Sequence, residues 1–262
     1  MVDTKRGSLD SLSCASEGSM PDSLFGSDDE QDDSSQPQTR SPAQAALNDD
    51  VLIASSSSCP PIPGLYILRR AVPQPVLDDL ADALSSTVWP GSTDQVMLFT
   101  SPETPSLPPY LEPFVDLLPR LLENLPDSVK HAVLHARMPV QAILNCYHPG
   151  QGISAHVDLP ERYADGIVGL SLLSSTVMEF RNVKADPPGT RPTAAAAAYA
   201  VRLRPGDVYV LSGEARWDWT HEIPYRDEDL VEDENGRTMR VRRGLRLSVT
   251  LRRMKDGGDV LR

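Results

Sequence analysis

The spacing of apolar positions changes at about residue 138. Before it, Pro75–Leu84 and Tyr110–Leu125 repeat apolar residues at helical spacing, which predicts two amphipathic helices, the second kinked or split at Pro119. After it, short segments alternate with period two between Gly, Pro and Asp, which predicts strands. These segments are Pro139–Tyr147, Ile167–Phe180, Ala200–Arg204, Asp207–Leu211 and Leu245–Arg253. Helices followed by strands predict an α+β fold, in which helices buttress one sheet of an antiparallel barrel or sandwich.

The first fifty residues differ from the rest in composition. They contain eleven acidic and three basic residues, so they carry −8 of the chain's net charge of −12, and they are rich in Ser. Such a segment has too little apolar surface to offset the entropy cost of ordering, so we predict a disordered acidic tail over residues 1–58. One domain is then predicted over 59–262, with a helical part at about 59–137 and a strand-rich core at about 138–255.

Composition excludes several classes of protein. The chain has no run of 18 apolar residues, so we expect no membrane span, and its first twenty residues have no apolar core typical of a secretory signal. Three cysteines, odd in number and far apart, indicate neither a disulfide framework nor a zinc site. We therefore expect an intracellular protein, in the cytoplasm or the nucleus. The acidic total disfavours a generally basic nucleic-acid-binding surface, although the last third contains basic clusters.

Two histidines and an aspartate form the first candidate site. His156 and Asp158 are two residues apart, so on a strand both would point to one face and could grip one metal ion. His221 follows 63 residues after Asp158. Two histidines and one carboxylate are the ligands typical of non-haem Fe(II) sites that keep open coordination positions. Taken singly, His156 and Asp158 are more typical of polar surface positions, and His221 is more typical of a histidine that caps a loop.

A strictly alternating strand supplies the second candidate site. One of its faces carries Arg246, Ser248, Thr250 and Arg252, and the other carries Leu247, Val249 and Leu251. If the polar face lines an interior, two guanidinium groups need an anionic guest, and a small dicarboxylate offers one carboxylate to each. An exposed antiparallel strand would show the same alternation. Asn145 and Tyr147, two apart on the strand before His156, add an amide and a phenol that can hydrogen-bond a carboxylate.

In combination these segments resemble the AlkB-like Fe(II)/2-oxoglutarate dioxygenases. The residues that carry the resemblance are, in order, Asn145-Cys146-Tyr147, His156-Val157-Asp158, His221 and the segment from Arg246 to Arg252. It covers roughly residues 138–255 and is strongest toward the oxygenase domain of the homologues that hydroxylate a tRNA wobble uridine. We expect this chain to lack the RNA-recognition module and the methyltransferase of those proteins. Position 248 is Ser where many members have Asn.

The resemblance implies a double-stranded β-helix, also called a jelly roll, which uses Fe(II) and the cosubstrate 2-oxoglutarate. The implied iron ligands are His156, Asp158 and His221. Arg246, helped by Tyr147, would hold the distal carboxylate of 2-oxoglutarate, whereas Arg252 and Asn145 would hold the end nearer the metal. Ser248 is implied as a further cosubstrate contact. The implied reaction converts 2-oxoglutarate and dioxygen to succinate and CO2 while a substrate C–H bond is hydroxylated.

The implied substrate is a modified base in nucleic acid, either in tRNA or in alkylated RNA or DNA, which would be hydroxylated or oxidatively demethylated. The basic residues that could contact phosphate are Arg237, Arg240, Arg242, Arg243 and Arg253. Tyr225 is a candidate for base stacking, and Trp217 and Trp219 are predicted to belong to the core. Two alternatives stay open: an oxygenase for a protein side chain or small molecule, and a non-catalytic scaffold that recruits partners through the acidic tail. The sequence does not indicate the oligomeric state.

Overall fold

The computed structural model describes residues 51–56, 58–89, 94–135, 138–184, 198–233 and 235–256. The first fifty residues, which include most of the predicted acidic tail, lie outside these ranges. The helices are α1 (Gln74–Ala83), α2 (Glu112–Leu121), α3 (Asp127–Leu134) and the single turn α4 (Glu214–Trp217). A π-helical turn at Leu84–Val88 extends α1, and a 3₁₀ turn at Pro109–Leu111 precedes α2. In the part of the chain that is described, no helix is both long and apolar enough to cross a lipid bilayer.

The strands, like the helices, are numbered in chain order. They are β1 (Ala54–Ser55), β2 (Leu65–Leu68), β3 (Gln95–Phe99), β4 (Val140–Tyr147), β5 (Ile153–His156), β6 (Ile167–Leu172), β7 (Thr176–Asn182), β8 (Ala198–Leu203), β9 (Val208–Leu211), β10 (Trp219–Ile223), β11 (Glu228–Glu232), β12 (Thr238–Arg242) and β13 (Arg246–Arg253). One sheet has the strand order β12-β11-β1-β8-β7-β10-β5, and the other has the order β2-β9-β6-β13-β4-β3.

Eight of these strands form the jelly roll that the resemblance implied. The six-stranded sheet contributes β9, β6, β13 and β4 as neighbours, and the seven-stranded sheet contributes β8, β7, β10 and β5. Every neighbouring pair within these two sets is antiparallel. The chain passes repeatedly from one sheet to the other, and side chains from both sheets line one cavity. The predicted α+β jelly roll is therefore confirmed.

The helices buttress the outer face of the six-stranded sheet, as the sequence predicted. Leu80 of α1, Phe114 of α2 and Val129 of α3 are buried in one apolar cluster with Val249 of β13. The apolar face of β13 thus packs on the helices, which leaves its polar face for the space between the sheets. Helix α2 is not split at Pro119 but ends two residues later.

The structure departs from the predicted segments at several places. Strands β2 and β3 lie within the part predicted as helical, about 59–137, and they form the two edges of the six-stranded sheet. Strand β1 lies within the predicted tail, where Ala54 is fully buried and β1 runs parallel to both β8 and β11. These strands are short, and backbone pairing places them, so side-chain alternation did not reveal them. The predicted strand Ile167–Phe180 is two strands, because Leu173 turns the chain with a left-handed backbone (φ 63°).

Candidate active site

All eight residues predicted for the site line one cavity between the two sheets. Its volume is about 500 Å³, including the part that is open to solvent. The predicted residues on its wall are Asn145, Tyr147, His156, Asp158, His221, Arg246, Ser248 and Arg252. The polar face of β13 therefore points inward, and the alternative of an exposed strand is wrong.

The two histidines and the aspartate converge at one end of this cavity. Strand pairing sets His221 of β10 directly opposite His156, the last residue of β5. One potential ligand atom from each of His156, Asp158 and His221 lies within 4.8 Å of the other two. The His221 Nε2 atom is 3.6 Å from the Asp158 Oδ2 atom, and the two imidazole centroids are 4.3 Å apart. One prediction needs correction: β5 ends at His156, so Asp158 reaches the site from the following loop and not from the same strand face.

The protonation states of these groups suit a divalent metal ion. Burial, and then the neighbouring imidazole of His156, lower the pKa of His221 to about 3, so His221 is neutral near pH 7. Burial alone would raise the pKa of Asp158, but Arg252 and then the two histidines outweigh it, so that pKa is lowered and the carboxylate stays ionised. The Nδ1 atom of His156 bonds to the carbonyl of Ser154 at 2.8 Å, which leaves Nε2 as its donor atom. Two imidazoles and one carboxylate match the set of ligands that Fe(II) prefers.

Arg252 fixes the carboxylate of Asp158. Its Nη1 donates to Oδ1 of Asp158, and its Nε donates to Oε1 of Gln141 at 2.5 Å. Its guanidinium also stacks on the ring of Tyr163, 3.6 Å from the ring centroid. Because Oδ1 is held by Arg252, Oδ2 is the oxygen that faces His221. Arg252 therefore orients the aspartate directly, a contact that the sequence did not predict.

Arg246 occupies the part of the cavity near Tyr147. Its Nε donates to the hydroxyl of Ser171 at 3.0 Å, and its guanidinium lies 5.1 Å from the ring centroid of Tyr147. Its Nη1 is buried and finds no hydrogen-bond partner among the described residues. Burial raises the pKa of Tyr147 to about 12, despite the opposing effect of Arg246, so this side chain remains a phenol and can donate. A buried guanidinium with a free donor requires an anionic or carbonyl partner.

Several side chains at the site were missed in the sequence. The Nε2 of Gln95, from edge strand β3, donates to Oδ1 of Asn145 at 2.7 Å, which leaves the Asn145 amide group as a donor. Gln95 stands outside the recognised motifs, so nothing in its surroundings marked it. Gln141 shares the period-two register of Asn145 and Tyr147, which could have identified it. Tyr209 interrupts an apolar strand on the cavity side, a weaker signal of the same kind.

Arg216 holds the loop that carries Asp158. It is 1% exposed and lies on α4, immediately before β10. Its Nη1 donates to the carbonyl of Asp158 at 2.8 Å, and it also donates to the carbonyls of Tyr163 and Ala164, both at 3.3 Å. One buried guanidinium thus bonds three backbone oxygens of one loop. No spacing rule signals this role, because it depends on the tertiary fold.

The residues predicted to contact nucleic acid are only partly available. Arg243 is buried in a two-point ion pair with Asp229, and Arg253 bonds the carbonyls of Val133 and Met138. Arg240 and Arg242 are exposed on edge strand β12, and both pair with Glu228. Among the aromatic candidates, Trp219 belongs to the inner core as predicted, Trp217 is half-buried beside Arg216, and Tyr225 is 61% exposed.

The family follows from a match over most of the folded body. The sequence pattern of the 2OG-Fe(II) oxygenase superfamily matches residues 94–252, which contain every cavity-lining residue named above. The chain belongs to this superfamily. It is a 2-oxoglutarate- and Fe(II)-dependent dioxygenase, and Fe(II) and 2-oxoglutarate are its metal and its cosubstrate. The residues present fit both groups: His156, Asp158 and His221 offer the ligand atoms for Fe(II), and the buried guanidinium of Arg246 offers a partner for a carboxylate of 2-oxoglutarate.

Relatives of this oxygenase are AlkB-like, which confirms the resemblance. It is 38% identical over 129 residues to the tRNA (carboxymethyluridine(34)-5-O)-methyltransferase ALKBH8 of Macaca fascicularis, covering 45% of this chain and 18% of that protein. It is 37% identical over 124 residues to the mitochondrial alpha-ketoglutarate-dependent dioxygenase alkB homolog 7 of Bos taurus, covering 45% and 50%. A solved structure of OsALKBH1 aligns at 17% identity with a TM-score of 0.44, covering 72% of this chain and 98% of that one. The matched region is half of these curated relatives or less.

Proposed function

We propose that this oxygenase hydroxylates or oxidatively demethylates a modified base in nucleic acid, with His156, Asp158 and His221 as its iron ligands. The observation that carries the proposal is that these ligand atoms meet within 4.8 Å at one end of the cavity that also contains the free donor of Arg246. The metal site and the anion site thus share one space. This arrangement lets a cosubstrate reach the metal while it is anchored by its far end.

The chain's own residues prepare the metal site. Bound iron, with 2-oxoglutarate as the source of electrons, supplies the activation of dioxygen that oxidises the substrate C–H bond. Arg252 orients Asp158, and the Ser154 carbonyl selects the donor nitrogen of His156. Apolar side chains on the cavity wall, among them Ile153, Met178 and Ile223, limit the access of water.

The cosubstrate roles follow from the free donors. Arg246, with the phenol of Tyr147 beside it, would hold the distal carboxylate, because its Nη1 is buried without a partner among the described residues and its guanidinium lies 5.1 Å from the centroid of the Tyr147 ring. The amide of Asn145, whose oxygen is already bonded to Gln95, would donate nearer the metal, and Arg252 would share its charge between Asp158 and the cosubstrate. Ser248 lies between the two arginines on β13 and would offer its hydroxyl.

The choice of nucleic acid is supported by the relatives. The name of the macaque relative refers to carboxymethyluridine of tRNA. The test incubates the full chain with Fe(II), 2-oxoglutarate and either hypomodified tRNA or methylated oligonucleotides, and measures succinate and modified nucleosides by mass spectrometry. We expect one oxidised or demethylated nucleoside for each succinate. His156→Ala should abolish both products, whereas His131→Ala, an exposed histidine on α3, should not.

A second candidate is favoured by the surface. Arg243 and Arg253 are turned inward, and Glu228 partly neutralises Arg240 and Arg242, so the described surface offers fewer free cations than the sequence suggested. An oxygenase for a protein side chain or a small molecule needs no basic surface. In the assay above, succinate formed with peptides or metabolites, but with no nucleic acid, would support this candidate and contradict the first. The scaffold alternative is set aside, because the chain is an enzyme of a catalytic family.

A further inference from the structure

Three neighbouring strands of the six-stranded sheet place Tyr209, Gly169 and Thr250 in one row across the cavity wall. Tyr209 of β9 is paired with Gly169 of β6, and Gly169 is paired with Thr250 of β13. The tyrosine ring crosses over Gly169, and its hydroxyl lies 3.4 Å from the hydroxyl oxygen of Thr250. The ring therefore covers part of the central strand and forms a section of the cavity wall.

Gly169 leaves the space that this ring occupies. A Cβ atom added at Gly169 would lie 2.0 Å from Cζ and 2.1 Å from Cε1 of Tyr209, far inside contact distance. Any other residue at position 169 would therefore displace the ring. Since both faces of this sheet are covered, the ring could move only toward the cavity or at the expense of the packing around it.

The ring of Tyr209 lies between the two ends of the site. Burial raises the pKa of its phenol, which forms a hydrogen bond with Thr250. The phenol also interacts electrostatically with Arg246 at one end of the site and with Asp158 and Arg252 at the other. Thr250 itself is between Ser248 and Arg252 on the cavity face of β13. A diacid anchored at Arg246 and directed toward Asp158 must pass this ring. The position is absent from the motifs that carry the family resemblance.

We propose that Tyr209, seated on Gly169, sets the length of the 2-oxo diacid that the cavity accepts. If Arg246 and the metal ligands fix the two ends of the diacid, a chain with one more methylene is too long to lie straight between them and must bend to one side. The ring fills the space on the side of β6 and β9 that such a bend would use. This inference rests on the proposed cosubstrate site between Arg246 and the metal ligands.

Binding of two diacids to the full chain tests this inference. The measurement is isothermal titration of 2-oxoglutarate, and of its six-carbon homologue 2-oxoadipate, into protein loaded with Mn²⁺, which reports affinity without turnover. We expect the wild type to prefer 2-oxoglutarate and Tyr209→Leu to reduce that preference roughly tenfold, the scale on which a pocket discriminates one methylene. Tyr209→Phe keeps the ring and should keep the preference.

A second pair of variants tests the contact with Gly169. Gly169→Ala should weaken binding of both diacids at least about tenfold, because the displaced ring enters the cavity. Adding Tyr209→Leu to Gly169→Ala should restore binding, which a general packing defect would not do. Mn²⁺ affinity, set by residues outside this row, should stay at the wild-type value in all variants and so shows that each is folded.

The outcomes separate the two proposals. If the wild type binds 2-oxoglutarate and Tyr209→Leu keeps the full preference for it, the role of Tyr209 is wrong and the cosubstrate site stands. If the wild type binds Mn²⁺ but neither diacid, the cosubstrate site is wrong and the role of Tyr209 falls with it. Failure of Gly169→Ala to fold would leave the Tyr209→Leu and Tyr209→Phe comparison decisive.

Discussion

Individual side chains divide the work at the metal end of the cavity. Each oxygen of Asp158 has its own neighbour, since Arg252 bonds Oδ1 and Oδ2 faces His221 at 3.6 Å. The guanidinium of Arg252 also bonds Gln141 at 2.5 Å, so it is itself held in place. An aspartate held in this way already has the side-chain conformation in which one oxygen can bind a metal.

Removing Arg252 should therefore weaken metal binding even when no cosubstrate is present. We expect Arg252→Gln to lower the affinity for Mn²⁺ about 10- to 100-fold in the absence of 2-oxoglutarate, the range typical of groups that orient a ligand. Titration followed by electron paramagnetic resonance measures this affinity. Arg253→Gln is the matched control, because Arg253 bonds backbone carbonyls on the helix side of the sheet, and it should bind Mn²⁺ like the wild type.

The pKa of His221 predicts how stability depends on pH in the metal-free protein. This pKa is about 3 in the folded state against an ordinary 6.5, so between these values the unfolded chain takes up a proton that the folded chain does not. The free energy of unfolding should fall as the pH drops through this window. His221→Gln should remove about 2 kcal/mol of that loss between about pH 6.5 and 4.5, as measured by urea denaturation with a chelator present. Wild-type and variant curves that run parallel would show that the pKa of His221 is not lowered in the folded protein.

At the scale of single elements, the alternation of polar and apolar residues predicted a strand correctly where the two faces of that strand have different surroundings. β4 and β13 were predicted within one residue of their bounds, because helices cover one face and polar site residues line the other. The same logic failed for the metal ligands, since Asp158 lies beyond the end of β5 although it reaches the expected site. Edge strands such as β3 are placed by backbone pairing and show no clear alternation of polar and apolar residues. Helix α4 is only one turn long, which is too short for a helical period to be recognised.

The turn α4 affects the metal site through Arg216. Arg216→Met would leave the carbonyls of Asp158, Tyr163 and Ala164 without their buried donor, so we expect a loss of about 3 kcal/mol in the free energy of unfolding. Mn²⁺ affinity should fall as well, because the loop with Asp158 loses its anchor. Glu214→Ala, an exposed change on the same turn, should stay within about 0.5 kcal/mol of the wild type. Equal metal affinity in wild type and Arg216→Met would show that the loop holds its shape without this contact.

At the scale of the whole molecule, the site depends on residues far apart in the sequence. Gln95 and Arg252 line the same cavity, and the helices cover the outer face of the six-stranded sheet. The sequence could predict which side chains gather, because the motifs follow a recognisable order. It could not predict where the body begins, because Ala54 ends an apolar run of only four residues, 51–54, and β1 is placed by its pairing with β8 and β11.

Two truncations should therefore behave differently. Deleting residues 1–50 should leave the melting temperature and Mn²⁺ affinity close to those of the full chain, because every described contact of the site lies beyond them. Deleting residues 1–58 also removes β1, the strand between β8 and β11, and should lower the melting temperature by several degrees. Calorimetry of the three proteins distinguishes these cases. Equal melting temperatures for the two truncations would mean that β1 contributes nothing to the sheet.

One metal ion and one diacid should share the cavity between the two sheets. A crystal structure of the full chain with Mn²⁺ and 2-oxoglutarate, prepared without turnover, tests it most directly. We expect a metal about 2 Å from Nε2 of His156, Nε2 of His221 and Oδ2 of Asp158, with the far carboxylate of the diacid on the guanidinium of Arg246. A metal bound away from these three atoms, or a diacid that leaves Arg246 without a partner, would contradict it.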